Sequence, residues 1–206
     1  MSTNIQEIKI SKLTGKLKGF EAINTNTLTN DFCSKMRKSD AICAQCYSAK
    51  MLQGVRKNCA EPWQKNSNLL SSRVLKSEEL PTINAHSFRF HAHGELLNYV
   101  HLKNFINICN KNPFTTFALW TKRKELIAKA SKEGILPTNL ILIFSNPKTT
   151  AVMHQVPQNF DKVFNASPRT AIEAMGETDC TGESCINCMA CYRKDNDKNI
   201  IVERIK

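Results

Sequence analysis

Cysteine placement limits what this chain can be more than any other feature. Nine cysteines are present, and seven fall into two short groups, Cys33-x9-Cys43-x2-Cys46 and Cys180-x4-Cys185-x2-Cys188-x2-Cys191. The odd count argues against a disulfide framework, and Cys185, Cys188 and Cys191 are too close together to pair comfortably among themselves. Metal ligation explains such clustering better. In the C-x2-C half of the first group, two thiolates turn toward one ion or one cluster face, and Cys33 is brought in by a loop. Three thiolates leave one position open, and redox dithiols share part of this pattern. The second group has four cysteines in twelve residues, and its C-x2-C-x2-C run has the local spacing of bacterial ferredoxin ligands. Zinc sites more often use two separated C-x2-C knuckles. Those are available here only by combining the groups, for example Cys43 and Cys46 with Cys188 and Cys191. The spacing therefore favours iron–sulfur clusters of the 4Fe-4S type, one or two of them, with zinc as the alternative. Cys109 falls on an apolar helical stretch and reads as a small buried hydrophobe. Cys59, near the first group in sequence, is the spare candidate for its fourth ligand.

The chain has 206 residues, enough for a sizeable core, and it shows no internal repeat or low-complexity linker. It is expected to form a single domain over residues 1–206, with a Cys-rich loop at 33–46 and a Cys-rich segment at 180–191. Residues 1–20 mix isoleucines with four lysines and lack the apolar core of a signal peptide. The longest strongly apolar run, residues 140–144, is far too short to span a bilayer. The expectation is a cytoplasmic protein with no membrane contact. Its net charge of +11 is spread over several basic stretches. Such a field favours polyanions, nucleic acid among them, although it also serves ordinary solubility.

The hydrophobic pattern points to α/β architecture. Residues 87–91 alternate and lead to Gly94, residues 115–121 are β-branched and aromatic, and residues 140–144 form the continuous run expected of a buried parallel strand. Shorter strands fit around 19–24, 162–165 and 199–205. Helical spacing marks 47–58, 61–76, 96–110 and 122–132. This alternation predicts a mostly parallel sheet of four to six strands, open or curled into a partial (β/α) barrel.

The passage Ser87-Phe88-Arg89-Phe90-His91-Ala92-His93-Gly94-Glu95 carries the other unusual chemistry. On a continuous strand, Arg89, His91 and His93 share one face. At the carboxyl end of a parallel strand, where α/β sheets bind ligands, His91, His93 and Glu95 become candidates for catalysis, and Gly94 and Glu95 for cofactor binding. Thr121-Lys122 and Ser145-Asn146-Pro147-Lys148 end the next two strands and add polar groups to the same edge.

These motifs occur in one order: Cys33…Cys43-Ala-Gln-Cys46-Tyr47-Ser-Ala-Lys50, Phe88-Arg-Phe-His91-x-x-Gly94-Glu95, Leu119-Trp120-Thr121-Lys122, and Cys180…Cys191-Tyr192. The series resembles the phage and prophage family called gene product 88, over residues 32–192. That family implies no activity to carry over. Where its members have His-Asp-Ser-Gly-Asp, this chain reads His91-Ala92-His93-Gly94-Glu95. The layout is also distantly similar to radical S-adenosylmethionine enzymes. These place three cysteines after the first strand, leaving one iron for the cofactor, and a Gly-Gly-Glu-like turn after the second. Here the x9 spacing departs from their usual C-x3-C-x2-C. The expectation is an iron–sulfur protein with an electron-transfer, redox-sensing or radical-enzyme-like role. S-adenosylmethionine is a further cofactor implied by that layout. The competing expectation is a zinc-stabilised nucleic-acid-binding module.

Overall fold

In the computed structural model, which describes residues 7–168, 180 and 182–205, one sheet runs through the molecule. Its seven strands lie side by side in sequence order: β1 (Ile10–Lys12), β2 (Glu21–Ile23), β3 (Ser87–Phe90), β4 (Thr116–Thr121), β5 (Leu140–Ser145), β6 (Lys162–Ser167) and β7 (Ile200–Arg204). Only the β1–β2 pair is antiparallel; every neighbour from β2 to β7 is parallel. The mostly parallel α/β sheet expected from the sequence is therefore present, with one strand beyond the upper end of the expected range. β1 escapes sequence reading because three residues are too few to show an alternation.

Sequential parallel order makes each crossover step the same way, and right-handed crossovers then put the helices on one face. α3 (Ala60–Ser72), α4 (Tyr99–Lys111) and α5 (Lys124–Lys132) line that face. They bury Leu70, Leu102, Phe105, Ile108 and Ile127 against Ile23, Phe88, Phe90, Phe117, Leu119, Leu140 and Leu142. The alternate strand residues Ala118, Trp120, Ile141 and Ile143 point the other way and form a second cluster with Phe20 and Tyr192. Burial on both faces explains why β4 and β5 read as continuous apolar runs. Two short helices, α1 (Asp31–Arg37) and α2 (Tyr47–Gln53), precede α3, and α6 (Cys185–Cys188) precedes β7. The helix expected over 47–58 stops early, because Gly54 leaves helical geometry (φ −124°, ψ −116°) and a 3-10 turn follows at Lys57–Cys59.

The sheet is open but strongly curled. If it were flat, β2 and β7 would stand about 24 Å apart, five spacings of about 4.8 Å. Yet Lys16, in the β1–β2 connection, makes a part-buried ion pair with Glu203 on β7. Cys180 bridges to Glu203 along the outer edge of β7, its N–H donating to Val202 O at 3.1 Å. At the other side of the gap, a Cβ added to Gly19 (φ +97°) would meet Ile186 of α6 at 2.9 Å. The Cys-rich segment thus fills the space between the sheet's two edges. No helix among the described residues is long and apolar enough to cross a membrane.

Buried asparagines secure the long connections. Asn104 accepts from Leu75 N and donates to Leu70 O and Arg73 O, while Asn66 bonds Lys9 and Asn24 backbones. An Asn amide can satisfy several orphan backbone groups at once, which is what irregular buried chain needs.

Candidate functional site

The parallel strands deliver their exits to one edge, and the first cysteine group stands there. After β2 the chain continues as Asn24-Thr25-Asn26-Thr27, all buried. Thr25 N donates to His93 O (3.1 Å), His93 N to Asn24 Oδ1 (2.8 Å) and Asn26 N to Ser67 Oγ (2.9 Å). Asn30 then caps α1 by accepting from Cys33 N and donates to Glu95 O at 3.0 Å. One side chain therefore ties the helix of Cys33 to the exit loop of β3. Arg37 folds α1 back onto the loop through Thr27 O and Leu28 O.

The C-x2-C element sits on the 3-10 turn Ile42–Gln45, with Cys46 as its C-cap; Ile42 N is anchored to Pro147 O at 2.8 Å. Three residues per 3-10 turn stack positions i and i+3, so Cys43 and Cys46 project to one side. Burial pushes the Cys33 thiol up, followed by the Glu95 carboxylate and the thiols of Cys46 and Cys43, while Lys122 opposes the rise. Cys43 is raised by burial too, with Lys122 again opposing. The structure thus gathers Cys33, Cys43 and Cys46 within one another's field, beside Glu95 and Lys122. Cys59 lies beyond α2, on the turn leading into α3.

Of the three polar residues expected at this strand end, Glu95 stands beside the thiols, while the two histidines turn into the interior. β3 ends at Phe90, and His91 takes a left-handed conformation (φ +63°), so the alternation that put Arg89, His91 and His93 on one face is broken. His91 turns toward the helices and packs on His101 and Phe105, its ring nitrogens without partners among the described residues and its pKa held well below the usual value by burial. His93 stacks on Trp63 and meets Ser48 Oγ at 3.1 Å, with burial lowering its pKa to about 4. Glu95 is buried as well: Oε1 accepts from Thr121 Oγ1 (2.6 Å) and Leu96 N (2.9 Å), and Oε2 from Lys122 N (2.9 Å). It locks the exits of β3 and β4 together. Gly94 has φ +125° and lies flat against Thr25. Sequence reasoning gave His101 no context. Its spacing from His91 carries no signal, and only the packing of α4 on β3 brings the two together.

The second group is held by other elements. Cys188 N bonds back to Ser184 O in α6, and Met189 (φ +53°) turns the chain so that Cys191 and Tyr192 face the sheet. Cys185, Met189 and Cys191 pack against the Trp120–Tyr192 cluster, whereas Cys188 is exposed. Burial pushes Cys191 up to about 12, with Arg89 opposing and Cys180, Cys185 and Cys188 adding to the rise. Cys109, as expected, is fully buried on α4. Among the described residues, no group of three or more His, Cys, Asp or Glu has the arrangement of a site for a metal ion.

Fold and sites define an open, sequentially wound α/β protein with thiols at its carboxyl edge and across the face opposite α3, α4 and α5. The Gene product 88 family model matches residues 3–191, and the chain belongs to that family. No curated protein and no solved structure matches it.

Proposed function

We propose that this chain is an iron–sulfur protein whose first cluster is held by Cys33, Cys43 and Cys46, with a redox or radical-enzyme-like role. The supporting observation is the gathering of three thiols after the first parallel strand of a sequentially wound sheet, next to the Gly94-Glu95 turn after the second. Three thiolates leave one iron of a cubane for a small molecule, and S-adenosylmethionine is the one the layout suggests. Cys180, Cys185, Cys188 and Cys191 would ligate a second cluster. Anaerobically prepared protein is expected to be brown and to hold acid-labile sulfide with its iron. Cys46→Ser should remove the iron of the first site and Cys188→Ser that of the second. Colourless, folded protein with stoichiometric zinc after iron-replete expression would overturn this reading. An unchanged spectrum of the reduced cluster at saturating S-adenosylmethionine would remove its radical-enzyme branch.

One feature favours a second reading, a zinc-stabilised module for nucleic acid. Lys35, Lys38, Lys50 and Lys57 are all exposed on the segment that carries the first cysteines. If they contact phosphates, the logarithm of the DNA affinity falls with the logarithm of salt by about 0.9 per contact. Titrating labelled DNA and RNA at about 50 and 200 mM salt measures that slope. Absence of binding at the lower salt rejects the module.

A further inference from the structure

Arg89 leaves β3 on the face opposite the helices, between Phe88 and Phe90, which point into the main core. Its guanidinium lies over the Trp120 ring at 3.7 Å. Nη1 donates to Tyr192 Oη at 3.4 Å and Nε to His91 O at 3.3 Å. All three partners are neutral. No carboxylate among the described residues reaches this cation, although it is largely enclosed by the sheet and the Cys-rich segment. A half-buried cation without a counter-charge loses part of its hydration uncompensated, and folded proteins relieve that loss with an opposite charge.

The groups near Arg89 that could carry a negative charge include the phenols of Tyr192 and Tyr47 and the thiols of Cys191 and Cys185. Burial keeps both phenols neutral. Cys185 and Cys191 pack on the same Trp120–Tyr192 cluster that holds the guanidinium. Ligation is what converts such thiols to thiolates, because a metal displaces their protons.

We infer that Arg89 is the built-in counter-charge of the second cysteine group, and that this group takes a metal centre of net negative charge. Four thiolates around a doubly positive ion or cluster core carry a net charge of about −2. The cation and the centre then stabilise each other across the sheet face. In the metal-free protein the cation is a liability, held among the described residues by Trp120 and two weak acceptors. This inference rests on the metal-binding reading above and adds to it the charge of the centre and the residue that selects it.

The test compares wild type, Arg89→Met and Arg89→Lys in a Cys43→Ser/Cys46→Ser background, so that only the second group holds metal. Arg89→Met is expected to lose iron to a ferrous chelator at least tenfold faster, whereas Arg89→Lys keeps most of the retention. The metal-free form of Arg89→Met should melt at or above the metal-free wild-type temperature. That opposite sign separates a counter-charge from a packing role: a residue needed only to support Trp120 and Tyr192 would destabilise both forms alike, which would overturn the inference. Equal iron retention in wild type and Arg89→Met would overturn it too while leaving the iron–sulfur reading intact. A second group that binds neither iron nor zinc in wild type refutes the inference together with the second cluster of the reading above, while the first cluster stands or falls on Cys46→Ser. Should Arg89→Met fail to fold, Arg89→Gln against Arg89→Lys carries the same contrast, with retention in both variants counting against the inference.

Discussion

Gly94→Ala is expected to destabilise the protein by about 3–5 kcal/mol, the combined scale of a disallowed backbone conformation and an overpacked core. At this chain length the melting temperature should fall by roughly 10 °C. Gly94 has φ +125°, and an added Cβ would stand 2.2 Å from Thr25 Oγ1, 2.9 Å from His91 Cδ2 and 3.0 Å from Thr25 N. Little there can yield. Thr25 is pinned through its own N–H to His93, and His91 is wedged between His101 and Phe105. Gly134→Ala is the control, since Gly134 has φ +67° but nothing within 4 Å of an added Cβ. It should cost only about 1 kcal/mol of left-handed strain. Thermal melts of the two variants against wild type decide the point. If both shift equally, the close approach at Gly94 is absent.

Acid should weaken the fold well before its carboxylates protonate. His101 is fully buried, and burial lowers its pKa to about 3; His91 is lowered in the same direction, by burial first and then by His101 and Arg89. In the unfolded chain both titrate near 6.5. Between pH 6.5 and about 3 the unfolded state therefore binds protons that folded His101 refuses, and stability falls as pH falls. Above pH 6.5 this contribution is fully present. At pH 5 His101 alone removes about 2 kcal/mol, and His91 adds to the loss. Urea unfolding at pH 7.5 and 5 measures the difference. His101→Asn, which keeps an acceptor for Leu97 N, should remove part of the pH dependence. A flat stability profile across that range would show that the imidazoles are solvated.

Much of this architecture was legible because the signals were local. The continuous apolar run in β5 and the β-branched stretch in β4 gave a buried parallel sheet, and cysteine spacing marked two separate segments. What could not be read depended on long-range packing. The positive φ at His91 reversed the faces of the polar passage after β3, and no periodicity foretells a left-handed residue that is not glycine. The asparagines carry no local signal of their roles. Asn30, Asn66, Asn104 and Asn112 prove to be the residues that hold irregular chain in place, each through partners 29 to 65 positions away. Arg89 gave no hint of its isolation from carboxylates, since that depends on which side chains the sheet brings to the same face.

The Lys16–Glu203 pair that bridges the curled sheet joins residues 187 positions apart, and this separation imposes a timetable on synthesis. At 5–20 residues per second, Glu203 follows Lys16 by roughly 10–40 s. During that interval the strands carrying Arg89 and Trp120 already exist, while the segment that covers their face opposite α3, α4 and α5 does not. The first cysteine group needs β2 and the exits of β3, β4 and β5, the last supplying Pro147 O to the turn of Cys43, and all of these precede β7 in the chain. The second waits for β7, whose edge receives Cys180. The nascent chain therefore completes its two thiol sites in a fixed sequence, the edge site first and the face site last.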